Sequence, residues 1–299
     1  MVSKEIISDS FRNLQLSICE AIEKTDGLGV FQEDTWSHHS GGGGHSRILT
    51  NGRIIEKGGV NFSQVQGKTS EALQKQLNLT ESADYFATGV SIVMHTQNPF
   101  VPIIHMNVRY FEMSNGDFWF GGGIDLTPHY IDESDATWFH IQLKSVCDTY
   151  KPTAYADYKK WADNYFYLPH RDETRGVGGI FFDYLKPVLE GKSKEEIFDF
   201  VLRVGQQFAP IYTHFMAKNQ EIPYTEKHKD WQLFRRGRYV EFNLVWDRGT
   251  KFGLETNGRT ESILMSLPPL AQWAYNHQPE LNSPEQKTLE LLRKGIEWV

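Results

Sequence analysis

The stretch Ile103–Ile104–His105–Met106–Asn107–Val108–Arg109–Tyr110–Phe111 alternates along its length. Ile104, Met106, Val108 and Tyr110 fall in one row, and His105, Asn107 and Arg109 in the other. A side-chain period of two marks a half-buried β-strand. Similar runs lie on either side. Val90–His95 precedes it across Asn98-Pro99 and Val101-Pro102, and Phe118–Ile124 follows the turn at Asn115-Gly116. Short alternating runs separated by turn residues predict a three-strand meander. In the first strand Val90, Ile92 and Met94 share a face, leaving Ser91 and His95 opposite; in the third, Gly121, Gly123 and Asp125 fall together. If the polar rows coincide, they form a floor carrying His95, His105, Asn107, Arg109 and Asp125, with Gly121–Gly123 leaving space above it. The alternative is a solvated sheet face with a bulge at the glycines.

Outward from the meander, Lys4–Lys24 predicts an amphipathic helix stopped by Gly27, and Asn51-Gly52 between apolar pairs predicts a hairpin. Helical spacing recurs at Ser70–Leu79, at Asp132–Asn164 with a break near Pro152, at Glu195–Met216 and at Glu285–Trp298, and Val177–Asp183 is a short strand. A further alternating run lies in Arg235–Thr250, where Val240, Phe242, Leu244 and Trp246 oppose Tyr239, Glu241, Asn243 and Asp247. It is predicted as a strand bracketed by Arg235, Arg236, Arg238, Arg248, Lys251 and Arg259, a place to hold a multiply anionic ligand. Hairpin-joined strands with grouped helices predict an α+β fold: a large antiparallel sheet of about seven strands flanked by α-helices. With no repeat or linker, residues 1–299 are expected to form one domain.

Composition narrows the function. A net charge of −7 and a pI near 5.9 argue against a general nucleic-acid binder, so the arginine-rich region reads as a local site. Aromatics at 13% suit a flat hydrophobic ligand or a large core. No apolar run approaches the ~18 residues of a membrane span. The acidic N-terminal stretch fits neither signal nor transit peptide, and two distant cysteines, Cys19 and Cys147, suit a reducing compartment; a cytoplasmic location is expected. Gly41–Gly44 lacks the Gly-Lys-Ser/Thr ending of a phosphate loop, and no G-x-G-x-x-G follows a strand, so no nucleotide or flavin cofactor is expected. His38, His39, His45, His140 and His170 show no metal-ligand spacing. Tyr155, Tyr158, Trp161 and Tyr165 form an aromatic stripe that reads as core before ligand wall.

Taken in order, Gly41–Arg47, Gly59–Ser63, Asn107–Phe111, Phe118–Pro128, Tyr158–Tyr167, His170–Asp183 and Gln232–Pro269 closely resemble the oxygen-dependent coproporphyrinogen III oxidases, over nearly the whole chain. The resemblance implies a homodimer with its contact within about Val240–Leu270, and coproporphyrinogen III as substrate. It implies oxidative decarboxylation of the ring A and B propionates to vinyls, giving protoporphyrinogen IX, with molecular oxygen as co-substrate. Combined with the strand faces, it makes Asp125 the central acceptor and candidate base and His105 a proton donor. Arg109 and Arg259 clamp propionates, while Ser91, Asn107, Val108, Asn257 and Gly258 line the pocket and Asp247 and Arg248 support it. If a divalent metal binds, the resemblance places it on His95, His105, His140 and His170; an obligatory metal is not expected. The chain departs from the family pattern at His45, where arginine is usual, and at Asn257-Gly258. A histidine-ligated metal enzyme and a non-catalytic tetrapyrrole carrier are the rival readings; a carrier has no need of Asp125 under the ring.

Overall fold

Helix α1 (Lys4–Asp26) buries Ile7, Phe11, Leu14, Ile18 and Ile22 along one face and ends at Gly27, whose φ of 74° is the left-handed value glycine adopts without steric cost. The structure is a computed structural model and describes residues 2–77, 79–255 and 258–299. Strands β1 (Gln32–Ser37), β2 (Gly42–Thr50) and β3 (Ile55–Lys68) follow, then α2 (Glu71–Leu77), β4 (Asp84–Thr96), β5 (Ile103–Met113) and β6 (Phe118–Thr127). Next come α3 (Glu133–Tyr150), α4 (Ala154–Tyr165), the two-residue strands β7 (Tyr167–Leu168) and β8 (Glu173–Thr174), and β9 (Gly179–Leu185). Helices α5 (Pro187–Glu190), α6 (Lys194–Gln206), α7 (Phe208–Asn219) and α8 (Glu226–Glu241) lead to a π-helical turn, Phe242–Trp246. Helices α9 (Arg248–Glu255), α10 (Thr260–Leu264) and α11 (Pro284–Leu291) complete the chain.

The sheet is antiparallel, with seven strands in the order β1-β2-β3-β4-β5-β6-β9. The Asn51-Gly52 hairpin forms, with Asn51 at φ 57°. Its loop is pinned by Asp26, whose buried carboxylate accepts the backbone N–H groups of Gly29, Arg53, Ile54 and Ile55. On the core face, Val60, Ile92, Met106 and Ile124 are buried against helices; α1 lies on β3 and β4, and α6 on β5 and β6. Helix α4 wraps the sheet edge at β9, with Tyr158 against Phe182 on the core side and Tyr165 stacked on Phe181 on the other.

Three sequence expectations change. The Glu195–Met216 helix is two helices meeting at Gln207, and the closing helix ends at Leu291. More consequentially, Arg238–Asp247 is not a strand: it is the end of α8 and the π turn. The buried positions Trp231, Arg235, Tyr239, Phe242 and Asn243 recur at spacings of three and four. Arginines occupy part of that buried face, so the helical period was hidden behind apparent polarity. Arg235 pairs with Glu173 at 2.9 Å and Arg236, fully buried, with Glu56 at 2.6 Å. Arg238 pairs with Glu241 at 3.1 Å. Arg235 and Arg236 hold α8 to the body and Arg238 pairs within the helix, so all three are engaged by carboxylates of the chain itself.

Candidate active site

The register brings the polar rows together as the alternation requires. Ser91 lies opposite Asn107, which lies opposite Gly123; His105 lies opposite Asp125, and Arg109 opposite Gly121. Ser91 is exposed and His105, Asn107 and Arg109 are half-buried, an open floor on the face away from α1. Residues of and after α10 wall one side. Ser262 meets Ser46 (2.8 Å) and accepts from Asn61 (2.7 Å) through its backbone oxygen, and Met265 packs onto Gly59. The other wall is Tyr165, Phe166 and the π turn.

At the floor's centre, His105 Nδ1 lies 2.8 Å from Asp125 Oδ1. Arg175 Nη2 donates to the same oxygen at 2.6 Å and its Nε to Oδ2 at 3.2 Å. Arg175 is itself held over the rings of Phe166, Tyr239 and Phe242, with Nη1 on Asn243 of the π turn at 3.1 Å. Burial alone would raise the Asp125 carboxyl; Arg175 and His105 outweigh it and hold it below the ordinary range. A charged carboxylate can only accept, so Nδ1 of His105 carries the proton, while Nε2 faces the floor 3.5 Å from Asn107 Nδ2. The setting differs from that of an open acceptor: with 1% exposure and both oxygens engaged, the Asp125 carboxylate is turned to His105 and Arg175.

Arg109 donates to Asn107 Oδ1 (2.8 Å) and pairs with Asp183 Oδ2 (2.8 Å), its guanidinium still partly open to solvent. The glycine run does not leave an empty space here. A Cβ on Gly121 would stand 2.5 Å from Asp183 Oδ1 and 2.7 Å from Arg109 Nε, so the missing side chain lets the pair cross β6. Beyond it the face continues as a stacked aromatic tier, Tyr85–Phe111–Trp119–Tyr184, with centroids 5.5, 4.5 and 5.0 Å apart.

Other expected residues are placed differently. Val108 points to the opposite face and is fully buried in the core, so its side chain cannot line the floor. Asp247 accepts from Tyr165 Oη (2.9 Å) and from Thr250 N (2.7 Å), bracing the start of α9 beside Arg248, whose guanidinium lies 5.9 Å from the Tyr165 ring. Arg259 pairs with Asp34, and Gly258 donates to the Gly253 carbonyl (2.8 Å), closing on α9; Asn257 lies outside the described residues. His45 bonds Glu33 (3.0 Å) on the reverse side of the sheet, so an arginine there would not reach this floor. Gly44 packs against the Trp36 ring inside β2, so Gly42–Gly44 belong to the sheet next to its edge strand.

The four candidate metal ligands do not converge. His95 meets the Ser266 carbonyl (2.9 Å); His140 meets the Val177 carbonyl and Tyr155 Oη (both 2.9 Å); His170 bonds Glu241 (2.7 Å); His105 bonds Asp125. Among the described residues no three His, Cys, Asp or Glu side chains form a metal-holding group, so the residues present do not fit a shared metal. Sequence reasoning missed Arg175 and Asp183 as site residues, although both sit in the arginine- and glycine-rich block after His170.

Fold and floor together define an antiparallel α+β protein with a carboxylate-set imidazole and flanking arginines. The chain belongs to the coproporphyrinogen III oxidase family, whose sequence profile, described as "Coproporphyrinogen III oxidase", matches residues 6–298. A protein of Synechococcus sp. (strain CC9605) named oxygen-dependent coproporphyrinogen-III oxidase is 45% identical over 319 residues, covering 99% of this chain and 88% of that one. A protein of the same name from Prochlorococcus marinus (strain NATL1A) is 46% identical over 307 residues, covering 95% and 88%.

Proposed function

We propose that this chain is an oxygen-dependent coproporphyrinogen III oxidase of haem biosynthesis. The observation that carries the site assignment is the Arg175–Asp125–His105 chain ending on an open floor beside Arg109. In each round a propionate loses its carboxylate as carbon dioxide and one β-hydrogen with its electron pair, leaving a vinyl. Those two electrons reduce dioxygen, which with that hydrogen and one further proton leaves as hydrogen peroxide. Two rounds, on rings A and B, give protoporphyrinogen IX. His105 Nε2 accepts a pyrrole proton, which makes the ring electron-rich enough to meet oxygen, and returns a proton to the reduced oxygen. Arg109 and Arg259 hold propionates. Asp125 is the positioning residue behind His105, with Arg175 behind Asp125. No organic cofactor and no obligatory metal take part in this reading; its metal-free part is supported by the separate settings of His95, His105, His140 and His170.

The test is anaerobic coproporphyrinogen III mixed with chelator-treated protein and then exposed to air, with products separated by chromatography. Protoporphyrinogen formed only with oxygen is the expected result. Product that returns only on adding a divalent ion overturns the metal-free reading, and binding without product in either case leaves the carrier.

The same proposal takes the chain to be one domain that works as a homodimer. Leu244, Val245, Trp246, Leu254, Leu270 and Trp273 are all more than a third exposed, an apolar surface that supports a contact within or near Val240–Leu270, whereas Met265 of that tract is buried on the sheet. Light scattering should give twice the chain's 34.5 kDa, and Trp246→Glu should shift it toward monomer; a monomeric wild type removes the proposal. A cytoplasmic location is supported by the two buried free cysteines and is checked by cell fractionation. Among the described residues, no helix is long and apolar enough to cross a membrane.

A further inference from the structure

We infer that Asp183 is a stand-in for a substrate propionate: it holds Arg109 while the site is empty and is displaced when a propionate arrives. The inference rests on Arg109 being a propionate clamp, as proposed above. Two features of the backbone serve to bring this carboxylate to that arginine. The first is Gly121, because any side chain there would collide with both partners. The second is a bulge in β9. Phe120 pairs with Leu185 and Gly122 with Phe182, so Asp183 and Tyr184 together oppose Gly121. Tyr184 is at φ 52°, a left-handed conformation uncommon for a bulky residue. Bulges re-aim side chains next to active sites, and strained backbone persists where the surroundings hold it. Tyr184 N–H bonds Asp183 Oδ1 at 2.9 Å, leaving Oδ2 for Arg109 at 2.8 Å.

The pair is built to be opened. Both side chains keep contact with solvent, at 38% for Arg109 and 22% for Asp183, and an exposed pair of this kind contributes little stability. Asn107 anchors the other side of the guanidinium at 2.8 Å, so Arg109 stays aimed while its carboxylate changes. Arg259 repeats the arrangement with Asp34. A stand-in carboxylate also keeps small anions off an arginine that faces solvent, reserving it for a ligand whose other carboxylates bind at the same time.

The experiment compares Asp183→Asn, Asp183→Glu and Arg109→Gln in steady-state turnover of coproporphyrinogen III, each titrated with sulfate. Asp183→Asn is expected to lower KM about three- to fivefold, the size of a lost surface ion pair, with kcat changed less than KM. Sulfate should become a competitive inhibitor of this variant at concentrations the wild type ignores, and Asp183→Glu should restore wild-type behaviour. An unchanged or raised KM in Asp183→Asn, with no new sulfate sensitivity, overturns the inference. An Arg109→Gln variant with wild-type KM overturns instead the clamp assignment beneath it.

Discussion

Asp125→Asn is expected to lose about 3–5 kcal/mol of stability and about 10²–10⁴-fold in turnover together. The stability loss follows from Arg175. Both members of the pair are buried, with side-chain exposures of 2% each, and a neutral partner leaves a guanidinium in the interior without its counter-charge. The turnover loss follows from His105, whose Nδ1 proton is set by a carboxylate 2.8 Å away; an amide at that position can offer its N–H as readily as its oxygen. The two losses separate in the double variant Asp125→Asn/Arg175→Gln. Removing both charges should return most of the stability measured by urea denaturation, because replacing a whole buried pair is often near neutral. Turnover should stay low. Near-wild-type turnover in the single variant would take Asp125 out of the mechanism, and undiminished stability would mean that water reaches Arg175.

The second large effect is acid lability. His129 and His140 are buried, and burial holds each down to about 3 from an ordinary value of 6.5. Burial, with Arg236 adding to it, also depresses His95. His140 is held neutral by burial, which outweighs the opposing effect of its bond to the Val177 carbonyl; its other ring nitrogen meets Tyr155 Oη. With native values below the unfolded one, the unfolded chain binds protons that the native state refuses. Stability is therefore full above about pH 6.5 and falls as the pH drops below it. At pH 5 each of His129 and His140 costs about 2 kcal/mol, so the loss from pH 7 is about 4 kcal/mol before His95 is counted. A second decline follows below about pH 4.5. Glu33 and Glu241 are driven toward a higher value by burial, but arginine and histidine partners hold both at about 2. Urea midpoints between pH 7 and 4 test this; a flat midpoint from pH 7 to 5 would show that these imidazoles take up protons in the native state. His140→Gln should flatten part of the first decline.

The floor was legible in the sequence because its strands alternate. The same alternation that buries Met106 and Val108 turns His105, Asn107 and Arg109 to the other face, and an antiparallel register then aligns neighbouring rows. Alternation failed at Tyr239–Asp247, where a buried helix face built from arginines and a tyrosine mimics a strand for several residues. The internal ion pairs that make this possible join residues as far apart as Glu56 and Arg236, and no local pattern announces them. Arg175 was hidden for the same reason. Its role exists only through Asp125, fifty positions earlier, and through aromatic rings from three other segments. The meaning of Gly121 also lay across the sheet, in a pair that its own neighbours do not mention.

The π-helical turn at Phe242–Trp246 also governs how this region can change length. An α-helix advances about 100° and 1.5 Å per residue. A wide turn takes up one residue beyond the regular count, as π-bulges in helices do. Loss of a single residue here would let α8 continue with regular bonding. Everything after it would then rotate by about 100°, swinging Asp247 away from Tyr165 and Arg248 away from the floor's edge. Exchanging an exposed side chain such as Leu244 or Val245 leaves the count intact, but one deletion turns the whole cationic segment to face elsewhere. The segment is clocked by residue number, and its aim is preserved by keeping count.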